Sequence, residues 1–194
     1  MEFVDILYNP DYNLEIKRTA SRGIIFHEGK LLMVYCEYFN DYTFAGGGLE
    51  ENEDQIEGLK REIREELGIN IKNIKLYCSV VEKNISMYKL NHNFVQINNF
   101  FICEFDSECE LDLEDYEVDL GFQKAYITIE DAIVHNEKTL QMCDKYRTKY
   151  LEKIEYNIQE SDLMNIKRYG SVVGLKTTLY VLNKLKGDIE NERI

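Results

Sequence analysis

The chain has 194 residues, 44% hydrophobic and 30% charged, which suits one domain with a sizeable core, or one domain plus an appendage. Its net charge of -13 excludes long nucleic acid as a default partner, because a uniformly acidic surface repels a polyanion. A small anionic substrate would need a metal ion or a local basic patch to enter.

Met1 to Pro10 carries acids and no apolar run, so no signal peptide is expected there. No segment has the roughly 18 uncharged apolar residues of a membrane helix. Cys36, Cys78, Cys103, Cys109 and Cys143 form no C-x-x-C pair, and reduced thiols in a cytoplasmic protein are expected. His27, His92 and His135 lie far apart, which argues against a zinc site.

In chain order, residues 1–19 read as a loose lead-in. Arg22 to Phe26 and Lys30 to Cys36 read as a hairpin turning at His27-Glu28-Gly29. Tyr42 to Ala45 is a short strand entering Gly46-Gly47-Gly48. Asn52 with Gln55 suggests a helix start, and the helix runs to about Leu67, with Gly68 as its left-handed end. Ile56, Leu59, Ile63 and Leu67 form its buried stripe, and close packing against a strand would explain Gly58 inside it. Strands follow at about 74–82 and 94–105, then an acidic loop over 106–119 and a strand at 122–128. A short helix is expected at 129–135. From Lys138 the pattern is helical, with Leu140, Cys143, Arg147, Leu151, Ile154 and Ile158 along one side. A second helix is expected at 172–186, with a frayed tail from Gly187.

The chemistry is concentrated in Gly47 to Ile69, GGLEENEDQIEGLKREIREELGI. Glu62, Glu65 and Glu66 stand at i, i+3 and i+4 and share one helix face, displaced from the apolar stripe. Carboxylates packed this closely repel one another, and Mg²⁺ or Mn²⁺ would relieve the cost. The glycines ahead offer close backbone approach, and Arg61 can fork onto Glu53.

This segment resembles the signature of the Nudix hydrolases, G-x5-E-x7-R-E-U-x-E-E-x-G-U, where U is a bulky aliphatic residue. Gly47, Glu53, Arg61, Glu62, Ile63, Glu65, Glu66, Gly68 and Ile69 fill every fixed position. The usual proline before the glycines is Ala45 here. The resemblance covers roughly residues 20–135. It implies an α/β fold, a Nudix-like α/β/α sandwich with a mixed sheet, over residues 20–136. Residues 137–194 form a C-terminal helical extension, packed on the domain or on a partner in a homodimer.

The implied activity is metal-dependent hydrolysis of a phosphoanhydride bond in a small nucleoside-diphosphate-linked molecule. Glu62, Glu65, Glu66 and the Gly46 carbonyl would hold Mg²⁺, or Mn²⁺ in its place. Glu53 and Arg61 would orient them. Glu117 is the first choice for a further carboxylate acting as base, with Glu114 and Glu82 as alternatives. Among Tyr38, Phe39, Tyr42 and Phe44, some would stack on a base, Tyr42 and Phe44 foremost, and Arg22 would meet a phosphate. Asn84 stands where ADP-ribose-cleaving relatives carry proline, so the resemblance names no substrate. The alternative is a Nudix-like nucleotide-sensing module that cuts nothing, which relatives of that kind reach by losing box glutamates.

Overall fold

The computed structural model describes residues 2–5, 11–85, 92–153 and 174–193. Eight strands form one mixed sheet: β1 (Glu2–Asp5), β2 (Leu14–His27), β3 (Lys30–Cys36), β4 (Asp41–Thr43), β5 (Gly46–Gly48), β6 (Ile69–Ile85), β7 (His92–Glu108) and β8 (Phe122–Ile127). Four helices lie between and after them: α1 (Gln55–Leu67), α2 (Asp115–Leu120), α3 (Ile129–Lys153) and α4 (Leu175–Glu190). The strand order is β1-β6-β7-β2-β3-β4, with β5 paired to β2 and β8 to β3. The β2–β7 pair is parallel and the β6–β7 pair antiparallel.

Both faces of the sheet are covered, which explains the nearly continuous apolar runs in its central strands. Side chains alternate between faces. Ile24, Met33, Val80 and Phe100 pack with Ala132 of α3 and with Leu179, Val181, Leu182 and Leu185 of α4. Their neighbours Ile25, Leu32, Val34 and Phe101 pack with Leu59, Ile63 and Leu67 of α1. The layers are therefore helix, sheet, helix, and α4 completes the domain's own core. Among the described residues, no helix is long and apolar enough to cross a membrane.

Several boundaries differ from the sequence reading, each for a physical reason. The expected lead-in is instead strand: β1 pairs with β6, and β2 begins at Leu14 in register with His92 of β7. The β2–β3 turn is the expected one, with Glu28 and Gly29 both at positive φ, the two-residue turn suited to a twisted hairpin. Helix α1 is capped by Asp54 rather than Asn52. Asp54 is extended, and its Oδ1 accepts from the Ile56 and Glu57 amides, whereas Asn52 sits in a left-handed turn at φ 65. Gly68 closes the helix at φ 61.

Strand β6 starts at Ile69, because Ile69 and Ile71 point inward between polar neighbours, and three register shifts accommodate the remainder. The acidic stretch is strand as far as Glu108, the expected loop over 109–114, and then α2, whose acidic first turn suits a helix N-terminus. The helix expected at 129–135 does not stop there but continues as α3 to Lys153. Asn136 and Thr139, poor helix formers, are fully buried within it and hydrogen-bonded to Tyr42 of β4 and to Asn40 just before it. Helix α4 continues through Gly187 to Glu190. Of the side chains expected along α3, Cys143 is in the core and Leu140 packs against it. Those of Arg147, Leu151, Ile154 and Ile158 lie outside the described residues.

Candidate active site

Strand β5 brings the glycines beside α1. Gly46 adopts φ +130, and its Cα approaches the Ser21 carbonyl too closely for any side chain. At Gly47 a Cβ would overlap the Glu62 carboxylate. The glycines are thus the space into which the helix acids fit. The Gly46 amide donates to Glu66 Oε2 at 2.6 Å. The Gly46 carbonyl accepts from Arg22 Nη1 at 2.9 Å, and the same nitrogen donates to the Phe44 carbonyl at 3.0 Å.

Arg61 organises the outer side of the helix. Its Nε and Nη2 grip the two oxygens of Glu53 at 2.9 and 3.1 Å, the two-pronged geometry a guanidinium favours. Its Nη1 reaches Glu65 at 2.9 Å and Glu62 at 3.0 Å. Glu53 also accepts from the Glu50 amide, and these bonds, Arg61 foremost, hold its carboxyl below the usual range. Gly58 belongs to the same construction: a Cβ there would meet Leu49 at 2.6 Å and Glu53 at 2.8 Å. The close neighbour is therefore the loop carrying Glu53, not a strand.

Glu62 and Glu66 face one cavity of about 220 Å³, together with Gly46, Gly47, Gly48, Arg18, Arg22, Asp41, Gln96, Tyr116 and Phe122. Burial pushes both carboxyls up, Glu66 well above the ordinary value. The Gly46 amide and the Arg22 charge oppose that rise at Glu66, while Glu62 and Glu117 add to it by repulsion. Glu65 does not line this cavity. It borders a separate cleft with Arg61, Arg64 and Asp112.

Glu117 is buried in α2. The Glu114 amide donates to its Oε2 at 2.9 Å and the Tyr116 hydroxyl to its Oε1 at 3.0 Å. Of the alternatives, Glu114 is exposed, and Glu82 is fully buried beneath α4, accepting from Thr177 at 3.0 Å. Of the four aromatics before the glycines, Phe39 lines the cavity. Phe44 is fully buried against Phe100, ring centroids 5.5 Å apart. Tyr42 packs against Tyr35 and His135, away from the cavity. Asp41, Arg18, Gln96 and Tyr116 were not singled out from sequence. A lone acid within the aromatic run Tyr38 to Phe44 was the available signal for Asp41.

Among the described residues, no three acidic, histidine or cysteine side chains already form a closed metal cage. The donor chemistry nonetheless fits a hard divalent cation. Glu62 and Glu66 present oxygen ligands to one polar cavity, and their burial makes uncompensated charge costly.

A family model described as the NUDIX domain matches residues 17–148. No curated protein matches the sequence. Among solved structures, the chain is similar to a MutT protein from Bacillus halodurans, at 18% identity and a TM-score of 0.48, covering 61% of this chain and 72% of that one. It is also similar to a NUDIX hydrolase from Nitrosomonas europaea, at 16% identity and a TM-score of 0.48, covering 79% and 88%. An ADP-ribose pyrophosphatase from Streptococcus suis aligns at 14% identity and a TM-score of 0.38, covering 58% and 75%.

Proposed function

The chain belongs to the Nudix hydrolase family, and on that premise we propose that it uses a divalent cation to hydrolyse a phosphoanhydride bond in a small nucleoside-diphosphate-linked compound. The observation that carries this reading is the convergence of Glu62 and Glu66 on one cavity floored by the glycines. Mg²⁺ is the cation proposed, with Mn²⁺ as its substitute. Glu62 and Glu66 would hold it, with Glu65 and the Gly46 carbonyl as further donors, now engaged by Arg61 and Arg22. When bound, such a cation cancels phosphate charge and lowers the pKa of water.

The remaining chemistry belongs to this chain's own groups. Arg61 and Glu53 brace the acidic face of α1 against its own repulsion. The Gly46 amide fixes one oxygen of Glu66 and leaves the other for a ligand. Glu117, fixed by the Glu114 amide and the Tyr116 hydroxyl, is the proposed acceptor of the proton from the attacking water. Arg22 contributes positive charge at the cavity wall for the phosphates. Five scattered cysteines with no C-x-x-C pair fit a reducing, cytoplasmic setting.

The test is a hydrolysis screen with and without Mg²⁺, using ADP-ribose, NADH, dinucleoside polyphosphates, nucleotide sugars, coenzyme A and nucleoside triphosphates. Cleavage by wild type that is abolished in Glu66→Gln is the expected result. Silence across the panel with both Mg²⁺ and Mn²⁺, from folded protein, would favour a nucleotide sensor. Glu117→Gln should slow turnover roughly 100-fold or more, the scale of a general base. A change under about threefold would remove Glu117 from that role.

A further inference from the structure

The cavity holds one acid that the hydrolytic reading leaves unused. Asp41, the first residue of β4, lines it and is only 7% exposed. Among the described residues no side chain bonds its carboxyl, whose one hydrogen bond comes from its own backbone amide. The Arg22 charge acts on it, as it does on Glu66. A buried carboxylate bonded only to its own amide leaves accepting capacity unused, which is costly unless a ligand donates to it.

Its surroundings limit what that ligand is. Phe39 and Phe122 supply flat apolar walls, and Cys36 adds a third nonpolar group. Asp41 is also held in place. Helix α3 grips the chain on either side of it: the Thr139 hydroxyl donates to the Asn40 carbonyl at 2.6 Å, and Asn136 exchanges two bonds with the Tyr42 backbone at 2.8 and 2.9 Å. A fixed acceptor in a cavity that aromatic side chains help to line suits the N–H edge of a planar heterocycle.

We propose that Asp41 is the specificity-determining residue, receiving the base of the substrate through its N–H donors. The proposal rests on the hydrolytic reading for the orientation of the phosphates. Two carboxylate oxygens match a base with two adjacent N–H donors, so the guanine edge is favoured. Adenine offers its amine beside a ring acceptor, and uracil one N–H between two carbonyls, so each leaves a lone pair facing Asp41.

The experiment is titration calorimetry of wild type, Asp41→Asn and Asp41→Ser with the α,β-methylene diphosphates of guanosine, adenosine, cytidine and uridine, in Mg²⁺. These probes bind without being cut. Wild type should bind the guanosine compound at least about tenfold tighter than the adenosine one, and both variants should lose that preference. Equal affinities in wild type, no binding of any probe, or an intact guanine preference in a folded variant would overturn the proposal. The wild-type ranking decides even if a variant fails to fold. Turnover of the cleavable nucleotides, run in parallel, separates the two ideas. Guanine-selective binding without cleavage sinks the hydrolytic reading alone, and cleavage without base preference sinks the Asp41 assignment alone.

Discussion

Arg61 touches three carboxylates at once, and its planar fork is what allows it. Lysine keeps the charge but cannot grip both oxygens of Glu53 while reaching Glu62 and Glu65. Arg61→Lys should therefore lower kcat about tenfold or more with the far-ultraviolet circular dichroism unchanged. An unaltered kcat would show that the brace is dispensable. Asp41 makes a different prediction, about stability. Burial pushes its carboxyl from 3.8 up to about 7, against the opposing pull of Arg22. The folded state then binds this proton more tightly than the unfolded state. The stability it contributes is full below about pH 4 and is lost as pH rises through about 7. Asp41→Asn removes the charge and keeps the shape. Its Tm should exceed that of wild type by several degrees at pH 8, by less at pH 5, and by almost nothing near pH 4. A gap that does not change with pH would exclude the linkage.

Two helical glycines show how the same substitution takes opposite signs in different elements. Alanine normally stabilises a helix interior by roughly 0.5–1 kcal/mol relative to glycine. At Gly187 in α4 a Cβ meets nothing within 4 Å, so Gly187→Ala should raise the stability by that increment and the Tm with it. At Gly58 in α1 the Cβ would drive into Leu49 and Glu53. Gly58→Ala should lower the Tm and lower kcat with it, since Glu53 is part of the Arg61 brace. Differential scanning calorimetry of the two variants checks the contrast. Equal gains at both positions would mean that the Glu53 loop gives way freely. Helix α3 carries the complementary lesson. Its buried Asn136 and Thr139 oppose helix propensity locally but tie β4 and the residue before it to the helix.

For the whole molecule, the C-terminal helix is structural material rather than an attachment. Leu175, Leu182 and Leu185 of α4 are buried in the same cluster as Ile24, Met33 and Phe100 of the sheet. Leu182→Ala should cost about 2–5 kcal/mol, the range for a buried leucine, as read by urea denaturation. A cost below about 0.5 kcal/mol would mean that α4 is not part of the folding unit. The same packing seals Glu82 beneath Thr177.

Spacing alone determined most of the signature helix. The i, i+3, i+4 glutamates, the apolar stripe of Leu59, Ile63 and Leu67, and the Gly68 stop are all set by residues within one helix length, where local geometry governs. The Nudix segment and its order of elements were legible for the same reason. The choice of which acids share a cavity was made elsewhere. Glu62 and Glu66 reach it while Glu65 turns onto Arg61, because the glycine loop approaches one side of the helix. The sorting of Phe39 into the cavity and Phe44 into the core, and the exposure of Asp41 to the cavity, depend on the pairing of β4 and on α3 docking against it from almost a hundred residues away. Strand side chains alternate between two faces, and both faces of this sheet are covered. Sequence alternation therefore separates the faces, and only tertiary packing decides which positions are buried in the core and which line the cavity.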